Sequence, residues 1–179
     1  VTRTTAYAML GSLSKKKLVE KDAETGRYSI GYKVLELAEC YYHRYPFLYL
    51  AEKYIVALAQ KHLGTRYVYG GASAGGFDCS GFTMYIYKQF GYNLPHSATS
   101  QWLSGMGTKI YSISELQPGD LVFFNDPSRN KGKACSHAGI YIGNGQHVHA
   151  SSSRNGGVIT SDLTSGYYNT YFVGGLRLS

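Results

Sequence analysis

The chain has 179 residues, 44% of them apolar and only 16% charged, a composition that excludes extensive disorder and allows one good core plus a smaller unit. No run of eighteen apolar residues occurs, so nothing reads as a bilayer-spanning helix, and the first twenty residues lack the apolar block of a secretory leader. The formal net charge of +7 favours a polyanionic partner, whether nucleic acid, a membrane surface or an anionic wall polymer, without choosing among them.

Taken in chain order, the first segment reads helix, hairpin, helix. Ala6, Met9, Leu10 and Leu13 recur at helical spacing behind Thr2 and Thr4, either of which can cap the helix. Leu18 to Asp22 and Arg27 to Ile30 flank a turn in which Gly26 supplies a positive φ. A third element carries Val34, Leu35, Ala38 and Tyr42 and is expected to stop near Pro46. The pattern changes there, so a domain boundary is placed between 1–46 and 47–179.

Beyond it, Tyr54, Ile55, Leu58 and Ala59 mark one face of a helix that ends at Gly64. A glycine-rich turn through Gly70, Gly71, Gly75 and Gly76 leads to Asp78-Cys79-Ser80. A second helix follows, capped by Asp78, with Phe82, Tyr85, Ile86 and Phe90 on its stripe and Gly91 at its end. Strands are predicted over Asp120 to Asn125, His137 to Ile142, Gln146 to Ala150, Val158 to Asp162 and Tyr171 to Leu178. Helices first and an antiparallel sheet afterwards give an α+β fold class.

Three cysteines, Cys40, Cys79 and Cys135, form no CxxC pair and leave an odd thiol, which argues against a disulfide framework or a zinc ribbon. Cys79 stands where a glycine-rich turn enters a helix. Unpaired amides and the helix dipole favour negative charge there and are expected to lower the thiol pKa. His137 can serve as a base, and His147 and His149 share one face of the next strand, where either could orient it. Read singly, a cysteine is more often a small buried hydrophobe, and His43, His62 and His96 sit in no motif and are taken as bystanders. Cys79, His137 and His149 are also residue types that suit zinc, but their wide separation matches no short zinc motif, so neither a metal nor a cofactor is expected.

Five separated blocks add a resemblance. They are Gly64 to Gly71, Phe77-Asp78-Cys79-Ser80-Gly81-Phe82, Leu94-Pro95 with Gln101, Leu116 to Phe124, and the His137 and His149 strands. Together they resemble the NlpC superfamily of cell-wall peptidases over about residues 51 to 178. The resemblance implies a papain-like cysteine peptidase core acting on peptidoglycan stem peptides, after D-γ-glutamyl, in an extracellular or wall-associated setting. By it, Cys79 would be the nucleophile, His137 the general base and His149 the group that orients it. Tyr67, Asp78, Ser80 and Ser136 would hold substrate, with Asp78 accepting from a free amino end. His96 departs from the resemblance, since many relatives carry arginine after Leu-Pro. Cys135 is expected to be a structural thiol sharing the strand face of His137, and Lys131 and Lys133 to lie in a solvated loop.

Thr4 to Leu10, Leu18 to Asp22, Glu24 to Gly31 and Leu35 to Leu37 resemble the later part of an IclR-type winged helix. The helices that should precede it are missing. The segment is therefore read as a spacer or docking element, and DNA binding is not expected.

Overall fold

Thr2 opens the first helix, α1 (Arg3–Lys15), its side chain accepting from the Thr5 amide. A two-strand hairpin follows, β1 (Val19–Lys21) against β2 (Tyr28–Ile30), with Gly26 at φ 69° in the connection. Then come α2 (Lys33–Arg44) and α3 (Pro46–Lys61). The computed structural model describes residues 2–44, 46–130, 132–152 and 156–178. Its chain contacts separate two units, Val1–Tyr49 and Leu50–Ser179. The stripe predicted on α1 is not buried in the first unit: Met9 is 58% exposed, because a three-residue hairpin offers α1 too little surface to cover it. Ala38, Tyr42 and His43 lie outside the described side chains, and Lys131 outside the described residues.

In the second unit, only Ile55 and Ala59 of the predicted α3 face are buried, while Tyr54 is largely exposed. The glycine-rich turn contains a small hairpin, β3 (Ala72–Ser73) with β4 (Gly76–Phe77). It delivers the chain into α4 (Cys79–Lys88), whose N-cap Asp78 accepts from the Gly81 amide at 2.7 Å. After α5 (Ala98–Trp102) and β5 (Gly107–Ile110) comes a 3-10 turn at Ile113–Glu115. The rest is β6 (Leu121–Phe124), α6 (Pro127–Asn130), β7 (His137–Gly143), β8 (Gln146–Ser151), β9 (Gly157–Asp162), α7 (Gly166–Thr170) and β10 (Phe172–Leu178).

Six strands form one sheet in the order β5-β10-β6-β7-β8-β9, every neighbouring pair antiparallel. The five predicted strands are all present, and β5 is the addition. All four residues of β6 are buried, so the sheet is covered on both sides. Period-two alternation sorts its side chains. Leu121, Phe123, Ala138, Ile140, Val148 and Ala150 join Phe82 and Ile86 of α4 in one core. Val122, Phe124 and Tyr141 join Leu163 and the partly buried Tyr168 in the other.

The Pro118-Gly119-Asp120-Leu121 block is structural. Gly119 has φ 96°, and Asp120 accepts from the Gln117 amide at 2.7 Å and from two nitrogens of Arg177 at 2.9 and 2.7 Å. The ion pair clamps the turn before β6 to the last strand.

Candidate active site

Asp78 organises the head of α4. Besides the Gly81 amide, its carboxylate accepts from the Gly70 amide at 3.0 Å and the Ser80 hydroxyl at 3.2 Å. His96 Nε2 lies 2.9 Å from both of its oxygens. His96, taken as a bystander in the sequence, is therefore the outermost partner of this carboxylate. It escaped notice because its contact spans eighteen residues and no local pattern announces it. Gly81 is needed where it stands, since a Cβ there would meet Gly71 O at 2.1 Å and His96 Nε2 at 2.8 Å. Gln101, fully buried, donates to the carbonyls of Ser80 and Pro95 at 3.0 and 2.9 Å and accepts from Thr83 at 2.8 Å, tying the first turn of α4 to the loop that carries His96.

The Cys79 thiol lies against the start of β7, where the Ala138 amide donates toward it, and the amides of Ser80 and Cys79 itself add to that stabilisation. These donors do not decide its protonation. Burial, seconded by the charge of Asp78, pushes the thiol up to about 11. The expectation of a lowered pKa is thus corrected: a helix start favours a thiolate only where solvent or a cation shares the charge, and here burial outweighs three amides. Tyr67 stands nearby; burial, then Cys79 and Asp78, push its hydroxyl up to about 12.

Three imidazoles share the opposite-parity face of β7 and β8. His137 Nε2 is 2.8 Å from His149 Nδ1, and His149 Nε2 is 2.9 Å from Ser161 Oγ on β9. The His147 ring stacks on that of His149 at 4.7 Å and 20°, and Phe124 flanks it at 5.0 Å. Gly139 makes the room, because a Cβ there would meet His147 Cδ2 at 2.9 Å and His149 Cβ at 3.1 Å. Burial lowers His137 to about 4, His147 to about 3 and His149 well below the ordinary imidazole value. Among the described residues, His147 is the buried side chain with no hydrogen-bond partner in good geometry for either ring nitrogen. The main chain of Ser161 favours its proton but is outweighed by burial.

Tyr168 of α7 closes this cluster, with its ring 4.5 Å from His147 and 4.9 Å from His149 and its hydroxyl hydrogen-bonded to the Ser161 side chain. Ser161 and Tyr168 were not legible beforehand. Only the alternation of β9 and its register against His147 could have pointed to Ser161.

Ser136 is close in sequence but engaged elsewhere: its hydroxyl donates to Phe124 O at 3.3 Å and accepts from the Asp126 amide at 2.9 Å. Cys135 does not share the face of His137. Regular alternation begins only at His137, and Cys135 turns into the α4-side core, where burial pushes its thiol up to about 12. Its amide and carbonyl both bond the Thr99 hydroxyl, at 3.0 and 2.9 Å. Among the described residues no group of three His, Cys, Asp or Glu is placed to hold a metal ion, and no helix is long and apolar enough to cross a membrane.

Residues 64–177 match the model of the NlpC/P60 family. The chain is 44% identical over 120 residues to a probable endopeptidase p60 of Listeria seeligeri, covering 67% of this chain and 21% of that protein. It thus spans about a fifth of the length of the curated relatives it matches. The NlpC/p60 domain of the peptidoglycan hydrolase SagA superposes with a TM-score of 0.59 at 33% identity, over 71% of this chain and 98% of that one. The peptidoglycan hydrolase RipB of Mycobacterium tuberculosis does so with a TM-score of 0.58 at 27% identity, over 72% and 64%. The extent of the family match and these likenesses agree with the fold and the site, and the chain belongs to the NlpC/P60 family.

Proposed function

We propose that this chain is a cysteine peptidase that hydrolyses an amide bond of peptidoglycan stem peptides, after a D-γ-glutamyl residue, outside the cell or at its wall. The observation that carries the reading is the 2.8 Å contact between His137 and His149, continued to Ser161, in the same strand whose Ala138 amide donates toward the Cys79 thiol. In that chain His137 Nε2–H donates to His149, which leaves Nδ1 as the lone pair that accepts the Cys79 proton. The sulfur attacks the scissile carbonyl, the Cys79 amide donates to the developing oxyanion, and His137 returns the proton to the leaving amine. Water then hydrolyses the thioester with the same imidazole as base.

Substrate contacts fall to Tyr67, Asp78 and Ser80, whereas Ser136, expected there from the resemblance, has its hydroxyl engaged by Phe124 and Asp126. Asp78 takes the free amino end of the stem peptide, displacing its outermost internal partner. The first unit acts as a spacer or docking element rather than a DNA reader. Incubating purified muropeptides with the chain and identifying new ends by mass spectrometry tests the reading. Cys79→Ala and His137→Ala should each abolish turnover and leave the thermal midpoint in place. Full turnover by Cys79→Ala would remove the thiol from its role. An inert wild-type chain would favour the competing reading, a wall-binding or DNA-associated module with a vestigial site.

A further inference from the structure

The polar excursion between β6 and β7 is pinned beside the base. The Asp126 amide donates to the Ser136 hydroxyl at 2.9 Å, one residue before His137. The buried Asp126 carboxylate is satisfied from within: the Ser128 amide and hydroxyl reach one oxygen at 2.9 and 2.6 Å, and the Tyr167 hydroxyl donates to the other at 2.8 Å. Arg129 of α6 takes the weakest place around it, with Nε 3.5 Å from that second oxygen, longer than an ordinary hydrogen bond. Its side chain is 66% exposed, and its guanidinium carbon lies 6.0 Å from the centre of the Tyr167 ring. From there an aromatic wall leads inward, Tyr167 to Tyr168 at 5.1 Å and Tyr168 to His137 at 6.0 Å between ring centres. Arg129 thus stands at the outer lip of a wall that ends on the imidazole.

We propose that Arg129 is a specificity-determining residue that binds a carboxylate carried by the residue released from the scissile bond. The proposal rests on the reading of Cys79 and His137 as nucleophile and base. His137 hands its proton to the leaving amine, so the released residue departs along the imidazole side of the site. The charge of Arg129 is felt on that side: it adds to the burial that lowers His137 and opposes the burial that raises Tyr168, whereas Cys79 answers to burial, Asp78 and three amides. A guanidinium offers a planar fork whose parallel N–H donors match the two oxygens of a carboxylate. Asp126 holds this side chain loosely, and because Ser128 and Tyr167 already satisfy that carboxylate, a ligand can draw the guanidinium outward without orphaning a buried charge. Asp78 then answers an amine at the acyl end and Arg129 a carboxylate at the released end, so the site reads a peptide with opposite charges at its two ends. The released residue can present that carboxylate from its main chain or from an acidic side chain.

The test measures kcat/KM at pH 7 for L-alanyl-γ-D-glutamyl-L-lysine, for its C-terminal carboxamide, and for the peptide in which a meso-diaminopimelic acid with a main-chain carboxamide replaces the lysine, so that only the side-chain carboxylate remains. At least one of the two carboxylate peptides should exceed the lysine carboxamide about three- to fivefold, as suits a partly exposed ion pair, and the one that does so names the source. In Arg129→Ala this ratio should fall to about one, and Arg129→Lys, which keeps the charge but not the fork, should retain part of it. Any change in the basicity of His137 scales all three rates alike, so a ratio that moves reports contact with the carboxylate. Equal kcat/KM for the three peptides in the wild type, or a preference that survives Arg129→Ala, overturns the proposal while the peptidase reading stands. Failure of the wild type to cleave any of the three overturns the peptidase reading, and the proposal with it.

Discussion

Lowering the pH from 7.5 to 5 presents protons to His137, His147 and His149 in a place that does not accept them. Burial holds His137 at about 4 and His147 at about 3 in the folded chain, with His149 displaced in the same direction. In the unfolded chain an imidazole titrates near ~6.5. The unfolded form therefore binds more protons, and stability falls as pH drops from about 6.5 toward the folded values. For His137 and His147 this amounts to roughly 2 kcal/mol each at pH 5, about 4 kcal/mol together, against a domain stability of about 5–15 kcal/mol. Glu52 works the other way, since burial raises its carboxyl, but one carboxyl does not offset three rings. The assay is urea denaturation followed by the fluorescence of Trp102, the single tryptophan, buried in the second unit. His147→Phe, which replaces an unpartnered buried ring with an apolar one between Phe124 and Tyr168, should recover about 2 kcal/mol of the acid loss. A wild-type stability that changes by less than about 1 kcal/mol between pH 7.5 and 5 would refute the account of these buried rings.

Three substitutions probe the frame of the site. Gly139→Ala drives a methyl group into His147 and His149, and should lower stability by about 1–3 kcal/mol and turnover with it, read by denaturation and muropeptide assay. Ser161→Ala leaves the buried Nε2–H of His149 unpartnered and should cut kcat about tenfold with little change in KM. Asp120→Ala removes the carboxylate partner of the part-exposed Arg177 and opens the turn before β6, at a cost of about 1–2 kcal/mol in urea. A neutral outcome there would mean that the pair clamps nothing.

The parts of the fold legible in the sequence were those with a period, a cap or bounding turn residues. α4 could be placed because Asp78 precedes a stripe at helical spacing, and β7 and β8 because Gly and Asn signals bound short apolar runs. The small hairpin β3-β4, the edge strand β5 and the five-residue helices α5 and α7 are too short for any of these signals. Short elements nonetheless deliver Tyr168 and frame His96. That His147 and His149 share one sheet face was readable from their spacing, while His137 joins them through the register of β7 against β8. Which residue lies beyond His149 depends on the pairing of β8 with β9, which no local pattern encodes.

The protonation of Cys79 shows the same division between local and distant causes. The helix start and the amides of Cys79 and Ser80 are written within two residues and favour a thiolate, as does the distant Ala138 amide of β7. The opposing burial is a product of the whole fold, and it wins. With the thiol at about 11 and His137 at about 4, both groups rest neutral, and in the proposed mechanism the nucleophile forms only as the proton passes to His137 during attack. Alkylation of Cys79 by iodoacetamide, resolved from Cys40 and Cys135 by peptide mapping, should then be slow at pH 7 and rise about tenfold per pH unit through pH 9. A preformed thiolate-imidazolium pair would instead give a plateau that begins below pH 7. Such a plateau would mean that the charges of the two groups stabilise each other more than burial penalises them.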